Sequence, residues 1–359
     1  MKKKVIMIAG GGTGGHIYPG IAIARALQKA DSNIEIRFVG TDSGLETKII
    51  PREGFALHLI YGGQLNFPGR PLKKIKTLLR LPIGIFQSFE LLLKYRPAFV
   101  LGVGGYASGP FVLLASLMGC RTAIWEPNAL PGLANRWLSY FVKKCFLVFE
   151  DSKKYLHCKN MRVVGMPVRA EMESKRAPVT RDDSKFHILH YGGSQGSRAI
   201  GRTLCQAVIN GGEWLKDIKI VHQTGSIDYK DFLERYRGFE HIVEIHEFIF
   251  DMPKFYDWTD LVVCRGGAST LNEIAAFGLP SVIIPLPAAD AHQEKNAEMF
   301  VQAHAACMIV QKDLTPERLV KEIQELRSNV ALRDMIQKNV KAFHRPQAAE
   351  AIAQEILKG

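Results

Sequence analysis

A single histidine, His16, stands at the end of the run "GGTGGH", and no other histidine falls within the chain's three glycine-rich loops, "GGTGGH", "GVGGYASGP" (Gly102 to Pro110) and "GGSQGSR" (Gly192 to Arg198). Imidazole titrates near neutrality, so a histidine in such a loop can take a proton from a hydroxyl group brought against the backbone. Its plainer use is to bond a neighbouring carbonyl and pin the loop. A second chemical pair, Thr270 and Glu273, lies three residues apart in "CRGGASTLNEIAAFGLP", Cys264 to Pro280. Placed at a helix start, the two could form a capping box. Alternatively, the free amides near Ser269 and Thr270 hold a diphosphate at the positive helix end while Glu273 accepts from ribose hydroxyls.

Gly10, Gly12 and Gly15 satisfy the G-x-G-x-x-G spacing of a dinucleotide-binding turn. That turn also needs an acid at the carboxyl end of the second strand, to hold a ribose hydroxyl. Here the second strand ends in Val39, Gly40 and Thr41, whereas Glu35 stands at its start. A nicotinamide enzyme is therefore not expected, and the loop reads as one that lets a bulky polar group approach the backbone closely.

The loops need elements to position them. Apolar runs "KVIMIAG", "IEIRFVG", "FALHLIY", "AFVLGVGG", "TAIWEPN" and "KCFLVFE" alternate with helical periods, and the alternation restarts at "FHILHYGGSQGSRAIGRTL" with "KIVHQTG", "VEIHEFI", "LVVCRGG" and "PSVIIPL". This pattern predicts an α/β chain of two tandem Rossmann-like, doubly wound domains. Ligands of open α/β sheets bind beyond the carboxyl ends of the strands, so two such domains facing a cleft suit two substrates. The linker is expected near Gly165 to Arg169, giving domains 1–165 and 166–342. A last helix, about 343–359, follows a break at His344 to Pro346 and is expected to cross back onto the first domain.

At 359 residues, 47% hydrophobic and 23% charged, the chain is globular and long enough for two cores. Six scattered cysteines form no C-x-x-C pair, which suggests neither a zinc site nor a disulfide framework. "MKKKVIMIAGG" reads as a first strand, not a signal peptide. Ala98 to Cys120 carries no charge over 23 residues, but five glycines and Pro110 make it a strand, loop and helix and not a membrane span. The net charge of +12 calls for an anionic partner. No aromatic-basic recognition motif accompanies it, so nucleic acid is not expected.

Together, "GGTGGH", "GGYASGP", "GGSQGSR", "CRGGASTLNEIAAFGLP" and "HQEKNA", in this order and covering essentially the whole chain, resemble the bacterial MurG family. The resemblance implies the two-domain GT-B architecture and an inverting glycosyltransferase of cell-wall peptidoglycan synthesis. Such an enzyme moves N-acetylglucosamine from UDP-N-acetylglucosamine to the 4-hydroxyl of the muramic acid sugar of lipid I, forming lipid II. The first domain then takes the acceptor and the membrane, the second the UDP-sugar.

By the same resemblance Asn128 and Gln293 contact the donor sugar, Arg169 and Ser194 the phosphates or nearby groups, and Thr13, Gly14 and Gly15 complete the sugar and phosphate pocket. Ile249 meets uracil through its backbone. Ala268, Ser269, Thr270, Leu271, Asn272 and Glu273 complete the nucleotide site, while Gly104, Gly105, Tyr106 and Ser108 meet the acceptor. His16 is the expected base, with Glu126 as second candidate. No two aspartates are spaced D-x-D, so helix ends and Arg169 are expected in place of a metal, and no cofactor is expected. Where the family usually reads His-Glu-Gln-Asn this chain has Trp125, Glu126, Pro127 and Asn128; Gly266 replaces a serine and Met166 an asparagine. Trp125 cannot accept a proton, which increases the weight on His16. Another GT-B enzyme, such as a glycolipid glycosyltransferase or a UDP-sugar epimerase, would share the donor site, and a non-catalytic nucleotide-binding protein would need no base.

Arg70 to Arg96 holds seven basic residues, Arg70, Lys73, Lys74, Lys76, Arg80, Lys94 and Arg96, against the single acid Glu90. Ile75, Leu79, Phe86, Phe89 and Leu93 recur at roughly helical spacing, as a packing stripe would. Leu72, Leu78, Ile83 and Ile85 fall off it, and Pro82 with Gly84 should break or kink the helix. With a lipid-linked acceptor, this segment predicts peripheral binding to anionic lipid at the cytoplasmic face of the inner membrane, where other cell-wall synthesis proteins can be partners.

Overall fold

The computed structural model describes residues 3–63, 71–168, 172, 181–193, 196–288 and 290–358, with 71–79 described for backbone alone. Two compact units divide the chain: Met1–Ala170 with Pro346–Gly359, and Glu171–Arg345.

In the first unit the strands are β1 (Lys4–Gly10), β2 (Ile34–Gly40), β3 (Ala56–Leu59), β4 (Phe99–Gly104), β5 (Thr122–Glu126), β6 (Lys144–Leu147) and β7 (Met161–Val163), in the order β3-β2-β1-β4-β5-β6-β7. Every pairing is parallel. Helices α1 (Gly14–Ala30), α2 (Glu46–Arg52), α3 (Pro71–Tyr95), α4 (Ser108–Leu117) and α5 (Leu133–Leu138) connect them. Strands covered on both faces must be apolar throughout, which is why "VIMIA" and "FVLGV" read as unbroken runs. Met7, Val100, Phe111, Ile124 and Leu147 form one core.

The second unit repeats the plan with β8 (Phe186–Tyr191), β9 (Ile218–Gln223), β10 (Val243–His246), β11 (Leu261–Cys264), β12 (Ser281–Ile283) and β13 (Cys307–Met308), in the parallel order β10-β9-β8-β11-β12-β13. Its helices are α6 (Arg198–Asn210), α7 (Tyr229–Arg235), α8 (Met252–Trp258), α9 (Ala268–Phe277), α10 (His292–Gln302), α11 (Pro316–Ser328) and α12 (Val330–Lys341). The closing helix α13 (Ala348–Leu357) belongs to the first unit, where it packs on α1. Ile352, Ala353 and Ile356 bury its apolar side. Its buried Glu355 lies 3.4 Å from the Lys144 ammonium and 3.0 Å from the Arg162 guanidinium, tying the helix to the β6-β7 edge.

Strand order reverses direction between β1 and β4 in one unit and between β8 and β11 in the other. These are the switch points where α/β sheets open a crevice for ligands. Both reversals carry glycine loops at their carboxyl ends.

Helix α3 departs from expectation. It runs without a break from Pro71 to Tyr95 through Pro82, and its buried face is Gly84, Ser88 and Leu92, not the aromatic stripe. A Cβ at Gly84 would lie 2.0 Å from the Tyr61 carbonyl oxygen, so glycine here serves close packing of helix on chain. Phe86, Phe89 and Leu93 instead face outward, with Phe86 61% exposed.

Candidate active site

At the first switch point the two glycine loops of the first unit touch. Gly11 N donates to Gly104 O at 3.2 Å. Gly104 and Gly105 hold φ of +98° and +84°, a region L side chains seldom occupy. A Cβ on Gly105 would strike the Gly11 carbonyl oxygen at 2.4 Å, and one on Gly104 would lie 2.6 Å from His16 Nδ1. His16, in the first turn of α1, is thus lodged face to face with the backbone of the second loop, its Nδ1 buried. Thr13 is the exposed N-cap of α1; its carbonyl accepts from the His16 and Ile17 amides, and Gly14 and Gly15 are half-buried beside it. Tyr106 is 46% exposed at the mouth of the second loop. Ser108, by contrast, turns inward: its hydroxyl is buried and sits where a Cβ on Gly102 would be. Its side chain is therefore withdrawn from the acceptor role expected of it.

Sequence reasoning missed Glu46. Its carboxylate is 1% exposed and accepts from Gly12 N at 2.7 Å, Thr41 N at 3.0 Å and Thr41 Oγ1 at 3.0 Å. Gly11, Gly40 and Gly44 are all packed so closely around it that a Cβ on any of them would overlap it. In a dinucleotide turn such amides hold pyrophosphate; here an internal carboxylate already holds that of Gly12. An acid next to a glycine cluster gives no periodic signal, which is why the sequence did not show it.

At the end of β5, Trp125 is fully buried, so this position faces the core and tryptophan serves packing there. Glu126 is 1% exposed. One of its oxygens accepts from Asn128 N (2.9 Å) and Asn128 Nδ2 (3.1 Å), the other from Gly132 N (3.0 Å) and Asn135 Nδ2 (2.8 Å). Burial raises its pKa and these four donors oppose the shift. A carboxylate enclosed by its own loop is placed to hold that loop, not to meet a substrate hydroxyl. Asn128 is half-buried, with its amide turned to Glu126.

In the second unit, α9 starts at Ala268 with Gly267 as N-cap and no side-chain cap. Thr270 is already the third helical residue, so it and Glu273 form no capping box. Leu271 N is the first α9 amide to bond back, to Gly267 O, which leaves the amides of Ala268, Ser269 and Thr270 outside the α9 ladder. Leu271 is fully buried, and the buried Asn272 spends its side chain on Ala268 O at 2.9 Å. Both were expected to touch ligand, yet both are turned inward by the helical period. Glu273 is half-buried and accepts from the Tyr256 hydroxyl at 2.8 Å.

Gln223, also unforeseen, bridges two expected site elements: Nε2 donates to Gly193 O at 2.9 Å and Oε1 accepts from Ile249 N at 3.3 Å. Gln293 accepts from Leu286 N at 3.0 Å. Its carbonyl oxygen comes so near Gly266 that a Cβ there would sit 2.4 Å away. The glycine at 266 is therefore required by this packing, and Asn296 Nδ2 holds the Gly266 carbonyl at 3.2 Å. Arg169 and Ser194 lie outside the described residues. Among the described residues no group of three or more His, Cys, Asp or Glu is placed to hold a metal ion.

The N-terminal domain of glycosyltransferase family 28 matches residues 6–147 and its C-terminal domain residues 187–354. A Bdellovibrio bacteriovorus protein named UDP-N-acetylglucosamine--N-acetylmuramyl-(pentapeptide) pyrophosphoryl-undecaprenol N-acetylglucosamine transferase is 58% identical over 355 residues, covering 99% of each chain. The protein of that name from Myxococcus xanthus is 39% identical, covering 97% of this chain and 91% of its own. The crystal structure of Acinetobacter baumannii MurG superposes with a TM-score of 0.81 at 27% identity, covering 99% of this chain and 100% of that one.

Proposed function

Since the chain belongs to the MurG family, with both domains of glycosyltransferase family 28, we propose that His16 is the proton acceptor of the family's reaction. The enzyme is a UDP-N-acetylglucosamine-dependent glycosyltransferase. It moves N-acetylglucosamine onto undecaprenyl-pyrophosphoryl-N-acetylmuramyl-pentapeptide, lipid I, at the 4-hydroxyl, with inversion. The observation carrying the catalytic assignment is the imidazole of His16 lodged against Gly104, at the switch point where both glycine loops meet.

In a single displacement the acceptor oxygen forms its bond to the anomeric carbon while the bond to the UDP oxygen breaks, and the hydroxyl proton must leave. Nδ1 is buried against the second loop, and the proton is assigned to Nε2. Glu126 is left out of this step, because its oxygens serve their own loop. UDP departs with the electron pair, and its growing charge is met by the Ala268, Ser269 and Thr270 amides at the start of α9, fixed donors that need no reorganisation. Glu273 reads the ribose, the Ile249 backbone the uracil, and Gln293 the sugar. Tyr106, Gly104 and Gly105 receive the acceptor.

The lipid-linked acceptor calls for a membrane surface, and α3 supplies the matching face. Ile83, Ile85, Phe86, Phe89 and Leu93 are exposed along it, beside Arg80 and Lys94. No described helix is long and apolar enough to cross a membrane. An apolar face with cationic flanks suits reversible docking on anionic headgroups at the cytoplasmic leaflet.

The reaction is tested by incubating the protein with radiolabelled UDP-N-acetylglucosamine and a short-chain lipid I analogue. Label moves into the lipid product only when acceptor is present. Label that stays with nucleotide, or emerges as an epimerised sugar nucleotide, overturns the assignment.

A further inference from the structure

Behind the nucleotide-facing side of α9 lies a buried polar chain that the reaction as described does not use. Tyr256, on α8, is 1% exposed, and Tyr191, the last residue of β8, is 5% exposed. Their hydroxyls are 2.6 Å apart, and the Tyr256 hydroxyl donates to Glu273 Oε2 at 2.8 Å. The ring of Phe277 packs on Tyr256 at 4.8 Å between centroids.

A phenol has one proton. Tyr256 gives its own to a carboxylate, which can only accept, so Tyr191 must be the donor in the 2.6 Å contact. Both bonds therefore run one way, from Tyr191 through Tyr256 to Glu273. Burial holds both phenols protonated, their pKa raised well above the usual value, so the direction does not change at physiological pH.

We propose that Tyr256, held by Tyr191, is the positioning residue that fixes the Glu273 carboxylate for reading ribose hydroxyls. Carboxylates carry about four acceptor positions, so a bond to Tyr256 orients the group without using it up. A glutamate left to choose among rotamers must be ordered by the ligand at the ligand's expense; one fixed in advance is ordered on folding.

This rests on Glu273 being the ribose contact, and the experiment separates the two claims. Calorimetric affinities of the full chain for UDP and for 2′,3′-dideoxy-UDP give a discrimination ratio that only ribose-hydroxyl recognition sets. Glu273→Ala is expected to bring the ratio to about one by weakening UDP alone. Tyr256→Phe, which keeps the ring, is expected to lower the ratio about 5- to 10-fold, the scale of one charge-assisted hydrogen bond in part, while the dideoxy affinity moves less than about twofold. Tyr191→Phe leaves Tyr256 able to donate and is expected to lower the ratio by about two- to threefold, a fraction of that same bond's scale; it also tests the chain should Tyr256→Phe fold poorly. A Tyr256→Phe ratio equal to wild type, or equal weakening of both ligands, overturns the positioning role while leaving the ribose reading intact. An unchanged ratio in Glu273→Ala overturns the ribose reading itself.

Discussion

Glu46 Oε2 accepts the Gly12 amide at 2.7 Å, so an internal carboxylate, and not a ligand, holds this amide of the first glycine loop. The carboxylate also holds the Thr41 amide and hydroxyl, so one buried group joins the ends of β1 and β2. Glu46→Ala leaves buried amides unsatisfied, at about 1 to 3 kcal/mol each. The variant should melt earlier and turn over at least about tenfold more slowly, one 1.4 kcal/mol step in barrier, while UDP affinity stays unchanged because the nucleotide contacts proposed above lie in the other unit. Melting and calorimetry check this; a Glu46→Ala protein that loses UDP affinity first would contradict the division of labour.

Gly104 gives a second lever on His16. Alanine there adds a Cβ at 2.6 Å from Nδ1 and forces a side chain into φ of +98°. The imidazole must move, and an ångström of misplacement costs on the order of 100-fold in rate. Gly104→Ala should therefore lower kcat with UDP affinity intact. Unaltered kcat in a protein that folds normally would show that the contact is not catalytic.

The sheets and their loops were legible because buried parallel strands are unbroken apolar runs ending in glycine. Edge strands β7 and β13, three and two residues long, carry no such run and went unseen. The site was legible where backbone geometry writes itself as glycine, as at Gly104 and Gly105. It was not legible where long-range side chains act: Glu46 reaches back 34 residues to Gly12, and Gln223 26 residues on to Ile249. The α3 stripe misled for a different reason. Helical spacing marks an apolar face but not what covers it, and Gly84 and Ser88 pack inward while Phe86 faces out.

His190 and His222 predict an acid sensitivity. Both rings are buried in the second unit, 4.6 Å apart, with Nδ1 atoms on Val263 O and on the Tyr236 hydroxyl. Burial lowers both pKa values, that of His190 to about 4, and Arg265 opposes its protonation further. The unfolded chain takes up these protons near pH 6.5, so their contribution is fully present above that pH and is lost as pH falls towards 4. At pH 5 the loss through His190 alone is about 2 kcal/mol. Denaturant unfolding at pH 7.5 and pH 5 reads this directly, and equal stability at both would exclude it.

Membrane docking through α3 should depend on both charge and apolar contact. Phe86→Glu with Leu93→Glu changes two exposed positions and should leave folding within about 0.5 kcal/mol each. Replacing Lys73, Lys74 and Lys76 by glutamate should remove about 1 kcal/mol per residue of attraction to acidic lipid. Both variants should pellet less than wild type with acidic vesicles, and wild type should pellet less as salt rises. Equal pelleting of all three would leave α3 an ordinary solvated helix.

The central claim is that His16 takes the acceptor proton. Steady-state turnover of His16→Ala with saturating UDP-N-acetylglucosamine and lipid I analogue, set beside its UDP affinity, tests this most directly. Turnover should fall by about 10² to 10⁴-fold with affinity nearly unchanged, because general-base catalysis acts in the transition state. A His16→Ala enzyme that retains a quarter of wild-type turnover would contradict it.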